Sequence, residues 1–533
     1  MIVYRLGSLC HFARLAALRV IVEIIETSAT CGFRLSRRGF VAAAIASAVG
    51  CNRRAERPSW TPAEMIQFSA VDAVAALQRG DFTAEEYASA LLAQCQRGDR
   101  LNAFITLVPD RVLEAARAAD QKRRSGVKLG TLHGLPIPIK DSINTKDYPT
   151  TAGTPALRNF HPKEDAPIVG KLRDAGAIVL GKTNLHELSF GWTSNNHAFG
   201  PVHNPYDTSR IPGGSSGGTG AAIASRMAPL GVAEDTEGSI RVPAAMCGIA
   251  GFRPTTGRYP TVGTAPISPL FDQVGPHARS VADLALFDSV AAGDASLLSA
   301  PQLKGVKLGV DRGYWFTDLD PEVERITSEA LRKLKDAGVE LVEAPVPDLA
   351  RLVGLITNQV QNHDARYALP KYLADYGTGV TFDQLVAQMS ADVKRDFVHD
   401  VLSGGPGFVT DAVYKTIVDV HLPKLRQTYK DYFAKTGVAA IIFPATMAPP
   451  PRIGEDTEVL VGTKKVPFER VVARNIAPGS TAGLPGLVLP AGLTSGGLPV
   501  AVELDGPSGN DRSLLGLGVS VERVLGHLPA PKI

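Results

Sequence analysis

IPGGSSGGTG, at residues 211–220, places two adjacent hydroxyl side chains, Ser215 and Ser216, inside a run of glycines. A segment of such small residues lets the backbone approach another group closely or exposes a hydroxyl for chemistry. It contains G-x-S-x-G at 213–217, but a nucleophile elbow needs a preceding strand, and here the loop-like VHNPYDTSR precedes it. It lacks G-K-[ST] and the full dinucleotide fingerprint of phosphate-binding loops. Taken alone, a glycine-rich loop ahead of a helix explains it equally well.

The bulk composition is that of a globular protein and excludes several functional classes. The chain has 533 residues, of which 44% are hydrophobic and 20% charged. Six arginines and two glutamates give the first fifty residues a net charge of +4, so the total of +3 leaves about −1 for the remainder. We therefore expect no nucleic-acid partner. The five cysteines show no C-x-x-C spacing, which argues against a disulfide framework.

The N-terminal region is predicted to carry a targeting signal. SRRGFVAAAIASAVGC, at 36–51, puts twin arginines before a short apolar run, as in a twin-arginine export signal. We assign 1–50 as a leader and 51–68 as a tether, and we expect an exported protein, periplasmic or envelope-anchored. Two adjacent arginines before an alanine-rich helix would instead leave the protein cytoplasmic. A lipid anchor at Cys51 stays open, because Ala48 stands where a lipoprotein box usually has Leu.

The remainder of the chain alternates helix-like and strand-like segments. APIVGKLRDAG precedes AIVLGKT, GAAIASR precedes MAPLGVA, and the same alternation returns after residue 300. Such alternation is typical of an α/β fold with helices on the faces of a sheet. Residues 350–435 are predicted to be mostly helical. No linker divides the segment, so we predict one large domain over 69–530.

Two further stretches give the glycine-rich loop a chemical context. GVAEDTEGSIRVPAAMCGIAGFRPTTGR, at 231–258, places Ser239 24 residues after Ser215, and Lys140 lies 75 residues before Ser215. With the GGSSGG and GSIRVPAA motifs at these spacings, residues 65–530 resemble the amidase signature family of serine hydrolases. The resemblance implies a single large α/β domain with a central mixed β-sheet flanked by helices.

The resemblance also implies a Ser-Ser-Lys catalytic triad. Ser239 would be the nucleophile, Ser215, in a cis peptide, would relay its proton, and Lys140 would be the base. A lysine acts as a base only when neutral, so its pKa of about 10.4 would have to fall by roughly 2–3 units through burial. Lys140 follows the apolar LPIPI, which suits such a site, whereas a surface ion pair with Asp141 is the alternative. No cofactor or metal is expected, since the histidines are dispersed and HELSF lacks the second histidine of H-E-x-x-H.

The turn before the predicted nucleophile is expected to hold the oxyanion. Its donors would be the backbone N–H groups of Thr236, Glu237, Gly238 and Ser239. The family usually has G-T-D-T-G-G-S, whereas residues 233–239 are A-E-D-T-E-G-S, so Glu237 replaces a glycine. Its carboxylate would repel a developing oxyanion unless it points away or is paired, and Arg241 is the nearest candidate partner in sequence.

Other residues of the motif are expected to support the loops rather than react. Ser216, Asp235 and Arg241 occupy family positions of this kind. Cys247, in a small apolar run, is predicted to lie in the core.

The substrate is suggested by two more stretches, 251–287 and 484–515. They look like the aryl-acetamide branch of the family, the mandelamide and indoleacetamide hydrolases, with Gln273 where Thr is common. The resemblance implies a small aryl or apolar primary amide, hydrolysed to the acid and ammonia. Five aromatic residues are candidates for the lining of the substrate pocket, with packing in the core as the alternative role: Tyr148, Phe160, Tyr367, Tyr372 and Tyr376.

Two other functions remain as alternatives. A glutaminase-type subunit of a tRNA-dependent amidotransferase would share the triad, but the export signal argues against it. A catalytically silent, amidase-like binding protein is supported only by Glu237. The expected partner is a small-molecule amide, and a homodimer is left open.

Overall fold

The computed structural model describes residues 59–532. Apolar runs form most strands of one eleven-stranded sheet, and four further strands form two separate two-stranded pairs. In chain order the strands are β1 (Phe104–Thr106), β2 (Pro136–Lys140), β3 (Ile178–Thr183), β4 (Asn195–Asn196), β5 (Gly200–Pro201), β6 (Leu230–Asp235), β7 (Ala250–Arg253), β8 (Gln273–Ala278), β9 (Lys307–Val310), β10 (Glu340–Glu343), β11 (Ala440–Pro444), β12 (Glu458–Val461), β13 (Lys464–Pro467), β14 (Gly486–Leu493) and β15 (Pro499–Asp505).

The large sheet is mixed and has the order β1-β3-β2-β6-β8-β7-β14-β15-β11-β9-β10. β2 runs parallel to both β3 and β6, and β9 runs parallel to β10 and β11. The pairs in the middle of the sheet are antiparallel. Because neighbouring parallel strands end at the same edge of a sheet, the last residues of β2 and β6 lie close together there. This edge carries Lys140 and Asp235.

Helices cover the sheet on both faces and explain why most of its central strands are buried throughout. In chain order the helices are α1 (Pro62–Met65), α2 (Ala70–Arg79), α3 (Ala84–Arg97), α4 (Pro109–Arg124), α5 (Pro167–Asp174), α6 (Gly217–Ala224), α7 (Arg241–Cys247), α8 (Val281–Ala291), α9 (Arg312–Trp315), α10 (Pro321–Asp336), α11 (Leu349–Asp375), α12 (Phe382–Gln388), α13 (Ala391–Asp396), α14 (Asp411–Thr416), α15 (Leu422–Thr436), α16 (Phe468–Ala473), α17 (Ala477–Ala482) and α18 (Asp511–Leu525).

The predicted alternation and the predicted helical region are both confirmed. A capping box forms at the start of α3, where the Thr83 hydroxyl accepts from the Glu86 N–H and the Glu86 carboxylate accepts from the Thr83 N–H. Residues 350–435 hold α11 to α15, with π-helical segments at Phe397–Val401 and Ile417–His421. Among the described helices, none combines the length and apolarity that a membrane span requires.

The folded unit begins earlier than the sequence suggested. The compact unit starts at Ser59, whereas residues up to 68 were predicted as a tether. Met65 and Ile66 are buried in the main core, and the Trp60 ring packs edge-on against Phe68 at 5.0 Å between centroids. The predicted leader and the tether up to residue 58 lie outside the described residues.

We expect the segment 59–68 to contribute measurably to stability. Met65→Ala or Ile66→Ala should each lower the free energy of unfolding by about 2–5 kcal/mol, because each removes a buried apolar side chain. Urea denaturation measures the loss, and Gln67→Ala, at an exposed neighbour, serves as the matched control. Equal stability of all three variants and the parent chain would show that the segment is a tether after all.

Candidate active site

Lys140 ends β2 and is fully buried, so the alternative of a surface ion pair is wrong. Its Nζ lies 2.6 Å from the Ser215 Oγ and 2.5 Å from Glu234 Oε1. The neighbouring Asp141 points elsewhere and pairs with Lys182 at 3.1 Å. The structure therefore brings Lys140 and Ser215 together, as their predicted roles require.

Burial lowers the pKa of Lys140, and the adjacent Glu234 carboxylate acts in the opposite direction. The direction of the net shift is downward. The neutral form of the amine is consequently easier to populate at this position than on a solvated lysine. This is the property that a lysine base needs.

The glycine-rich loop allows a close approach of its backbone to the surrounding segments. A Cβ at Gly217 would lie 2.4 Å from the Ser194 Oγ, and one at Gly218 would lie 2.4 Å from the Asn184 carbonyl oxygen. The Gly214–Ser215 peptide is cis, as the resemblance implied. The Ser215 carbonyl accepts hydrogen bonds from the His186 N–H at 3.0 Å and from the Ser194 hydroxyl at 3.1 Å. The loop thus holds Ser215 firmly against Lys140.

Ser216 fixes the other side of the same loop. Its hydroxyl donates to the Glu234 carbonyl at 3.1 Å, which ties the loop to β6. Cys247 is buried at the end of α7, as predicted, and donates to the Pro212 carbonyl at 3.3 Å.

The turn 236–239 is held by the carboxylate of Asp235. This carboxylate accepts from the Gly238 N–H at 2.8 Å and the Ile240 N–H at 3.0 Å, and it pairs with Arg241 and Arg253. Burial alone would raise the pKa of Asp235, but the two guanidinium groups hold it below its usual range. Asp235 and Arg241 therefore sit where the sequence analysis placed loop-supporting residues.

The hydrogen bond from the Gly238 N–H to Asp235 reduces the number of backbone N–H groups that remain available to an oxyanion. Because Asp235 already accepts from it, the N–H groups of Thr236, Glu237 and Ser239 are those without an acceptor in the described part of the chain. Gly238 has a φ of +113°, and a Cβ there would lie 2.9 Å from the Ile476 side chain. The turn requires glycine at this position.

Ser239 faces a cavity of about 600 Å³. The residue is only 4% exposed, and within residues 59–532 its hydroxyl makes no hydrogen bond. Thr236 and Glu237 line the same cavity. A hydroxyl that is open to a cavity of ligand size and has no protein partner is positioned to meet a bound molecule.

Glu237 does not pair with Arg241, which corrects the partner suggested by the sequence. Arg241 binds Asp235 and, through Nη1, Glu503 at 2.6 Å. The Glu237 carboxyl instead accepts from the Gln361 Nε2 at 2.7 Å. Burial, followed by repulsion from Glu469, raises the pKa of Glu237 to about 8. Near neutral pH the carboxyl is therefore largely protonated and does not repel a nearby oxyanion.

The aromatic side chains of the cavity are not those considered in the sequence. Tyr148, Phe160 and Tyr372 are buried in the apolar core clusters, and Tyr367 is largely exposed. Neither they nor Tyr376 line the cavity; Phe190, Trp192 and Phe468 do.

Sequence reasoning missed the carboxylate beside Lys140. Glu234 accepts from Lys140 and, at 2.5 Å, from the Ser189 hydroxyl. The available signal was a pair of acidic residues, Glu234 and Asp235, at the end of an otherwise apolar strand, LGVAED. Asp272, which accepts from the Thr236 hydroxyl at 2.6 Å, was also missed. Within the described chain no cluster of three or more His, Cys, Asp or Glu residues could hold a metal ion.

Comparison with known proteins agrees with this geometry. A family model described as Amidase matches residues 86–515. This chain belongs to the amidase signature family. The match includes the loop 213–218, the turn 236–239 and Lys140, and the mixed α/β sheet is the fold that its structural relatives share.

Several relatives of this amidase are amide hydrolases. The chain is 37% identical over 457 residues to indoleacetamide hydrolase of Agrobacterium vitis, covering 86% of this chain and 97% of that protein. It is 37% identical over 483 residues to mandelamide hydrolase of Pseudomonas putida, covering 88% and 94%. A crystal structure of an amidase matches with a TM-score of 0.76 and 30% identity, covering 86% of this chain and all of that one. The protein is an enzyme that hydrolyses amide bonds.

The raised pKa of Glu237 predicts a stability difference that depends on pH. Between about pH 4.5 and 8 folded Glu237 keeps a proton that the unfolded chain has lost, so its contribution to stability falls as pH rises. Glu237→Gln removes this titration. Relative to the parent chain, its free energy of unfolding should increase by about 3 kcal/mol from pH 5 to pH 8, since each pKa unit is worth about 1.4 kcal/mol.

Urea denaturation at pH 5 and pH 8 measures this difference. The exposed Glu324 provides the matched control, because Glu324→Gln should show no such pH-dependent gain. An identical pH dependence for the parent amidase and Glu237→Gln would show that Glu237 titrates normally.

Proposed function

We propose that this amidase hydrolyses primary amides through Lys140, Ser215 and Ser239. The observation that carries the proposal is the Ser239 hydroxyl, which has no hydrogen-bond partner among the described residues and belongs to a residue that lines the cavity. A second serine, Ser215, is hydrogen-bonded to the buried Lys140 at 2.6 Å, which supports its proposed role between the nucleophile and the base.

In the first half of the reaction, the Ser239 Oγ attacks the amide carbon. The Ser239 proton passes to the Ser215 Oγ while the Ser215 proton passes to neutral Lys140. The carbonyl oxygen becomes an oxyanion next to the N–H groups of Thr236, Glu237 and Ser239, each worth about 3–4 kcal/mol if well placed. Lys140 then returns a proton through Ser215 to the leaving nitrogen, the C–N bond breaks, and ammonia leaves an acyl-enzyme.

In the second half, water attacks the acyl-enzyme and gives its proton to Lys140 by the same relay. The returned proton restores the Ser239 hydroxyl as the C–O bond breaks and the acid is released. Glu234, 2.5 Å from the Lys140 Nζ, stabilises the ammonium form that exists between the two proton transfers.

The proposed substrate is a small aryl or apolar primary amide. Apolar side chains that line the cavity, Phe190, Trp192, Ile267 and Phe468, suit such an acyl group. The identity to indoleacetamide and mandelamide hydrolases supports the same class. A glutaminase that works only with partner subunits would release no ammonia on its own, and a silent binding protein would hydrolyse nothing.

We expect Ser239→Ala to abolish ammonia release from phenylacetamide, mandelamide and indoleacetamide, because it removes the nucleophile. Lys140→Met should lower kcat by about 10²–10⁴-fold, the range for loss of a general base. Ser215→Ala should have an effect of similar size. A fluorophosphonate should label the parent enzyme but not Ser239→Ala.

The distant serine Ser296 offers a control, since Ser296→Ala should retain full activity and labelling. Labelling that persists in Ser239→Ala would assign the nucleophile to another residue. Ammonia released from glutamine alone, with no aryl amide hydrolysed, would contradict the proposed substrate class.

We also propose that the enzyme is exported. Support comes from the sequence SRRGFVAAAIASAVGC at 36–51, which lies outside the described residues. Acylation of Cys51 would keep the exported enzyme at the envelope, and without it the enzyme would be free in the periplasm.

Export through the twin arginines predicts that Arg37→Lys combined with Arg38→Lys leaves the full chain in the cytoplasm. Fractionation of the cells followed by immunoblotting measures the distribution. Arg34→Lys, just outside the pair, should be exported like the parent chain. An unchanged distribution of the double variant would rule out this route.

A further inference from the structure

The cavity that holds the Ser239 hydroxyl is strongly acidic. Its carboxyl-bearing side chains are Glu237, Asp392, Asp396, Asp400, Asp456 and Glu469. The guanidinium group among the lining residues belongs to Arg395, and it is already bonded to Asp396 at 3.0 Å. Even with the Glu237 carboxyl protonated, the carboxyl groups outnumber the guanidinium group, and a neutral aryl amide would leave this excess of negative charge uncompensated.

Glu237 and Glu469 form the part of this acidic lining that lies next to the nucleophile turn. Gln361 on α11 donates to the Glu237 carboxyl at 2.7 Å and to Asn358 Oδ1 at 3.1 Å. Asn358 in turn donates to Glu469 Oε1 at 3.1 Å. The two carboxyl groups are thus linked by amides, and in residues 59–532 neither forms an ion pair.

A second wall of the cavity carries aspartates at intervals of four residues. Asp392, Asp396 and Asp400 follow one another along α13 and the π-helical segment after it. His186 lies 4.0 Å from Asp392, but burial lowers the pKa of His186 to about 4, so it is neutral at pH 7. The more exposed His197, 3.5 Å from Asp392, is the other imidazole at this aspartate. Asp396 pairs with Arg395, and Asp400 lies 2.8 Å from His399. Among the described residues, the lining carboxyl groups without a basic partner are therefore Glu237, Glu469 and Asp456.

The Ser239 hydroxyl independently indicates where a ligand binds in this cavity. It opens to the cavity without a protein partner, and as the nucleophile it requires the carbonyl carbon of the substrate beside it. The acyl group must then extend into a space bounded by Phe190, Trp192 and Phe468 together with the carboxyl groups. An aromatic body with a cationic substituent satisfies both kinds of wall.

We infer that the natural substrate is a primary amide whose acyl group carries a protonated amino group, bound by Glu237 and Glu469. Amides of aromatic amino acids are the simplest members of this class. The inference rests on the proposed function and narrows its substrate. An ammonium group can donate three N–H hydrogen bonds, and two carboxylates and a neighbouring amide oxygen can accept them. Binding of the cation favours the ionised form of Glu237, whose proton is released to solvent.

The decisive test compares two substrates that differ only by the amino group. Phenylalaninamide, as each enantiomer, and 3-phenylpropanamide are assayed at pH 7, where an α-amino group of pKa about 7.7–8.0 is mostly protonated. For the better enantiomer, we expect kcat/KM to exceed that of 3-phenylpropanamide by at least about tenfold, which is a typical effect of one charged contact.

Variants locate the effect in the cavity. Glu237→Gln and Glu469→Gln should each reduce the ratio of the two kcat/KM values, by about tenfold and about threefold, since Glu469 is the more exposed. The ratio is the readout because it cancels any general loss of rate. Glu324→Gln, outside the cavity, should leave the ratio unchanged.

The outcomes separate this inference from the proposed function. Equal or faster hydrolysis of 3-phenylpropanamide, or a ratio that neither cavity variant changes, would overturn the inference while leaving the amidase reaction intact. Failure to hydrolyse either amide, together with no fluorophosphonate labelling of Ser239, would overturn the proposed function and this inference with it.

Discussion

The burial of the Lys140 amine is the constraint around which the site is built. Burying a lysine amine in a protein interior is costly unless its charged form is paired or the amine is neutral. Here both solutions are available. Glu234 reaches it from β6, the parallel neighbour of β2, and Ser215 reaches it from the glycine-rich loop. Only residues as small as those at 213–218 let that loop come close enough. The order of the strands and the small residues of the loop together therefore make the contacts of Lys140 with Glu234 and Ser215 possible.

A second buried network gives the nucleophile turn its shape. Asp235 binds backbone N–H groups on both sides of Ser239 and is itself bound by Arg241 and Arg253. Arg241 also binds Glu503 on β15, so the turn is joined to strands on the far side of the sheet. Removing one member would leave the other charges buried and uncompensated. Such a network suits a turn whose free N–H groups must stay in place while charge develops beside them.

Local patterns in the sequence predicted the alternation of helices and strands and singled out the three residues of the proposed triad. The apolar runs AIVLGKT and MAPLGVA overlap β3 and β6, and the motifs around Lys140, Ser215 and Ser239, with their spacing, carry the resemblance. The walls of the cavity could not be predicted in this way. They come from segments near 190, 360, 395 and 460, which approach one another only through the packing of α11 and its neighbours. The partner of Glu237 is Gln361, 124 residues away, whereas the nearest arginine in sequence is engaged elsewhere.

Glu237 connects the chemistry of the turn with the charge of the cavity. A carboxylate would oppose an oxyanion on the adjacent backbone, but burial and Glu469 keep the group protonated when the cavity contains no cation. A substrate ammonium would allow Glu237 to ionise while the net charge beside the oxyanion stays close to neutral, because each new negative charge has a positive partner. The departure from the family's glycine is then compatible with turnover, and its electrostatic cost is offset when a cationic substrate is bound.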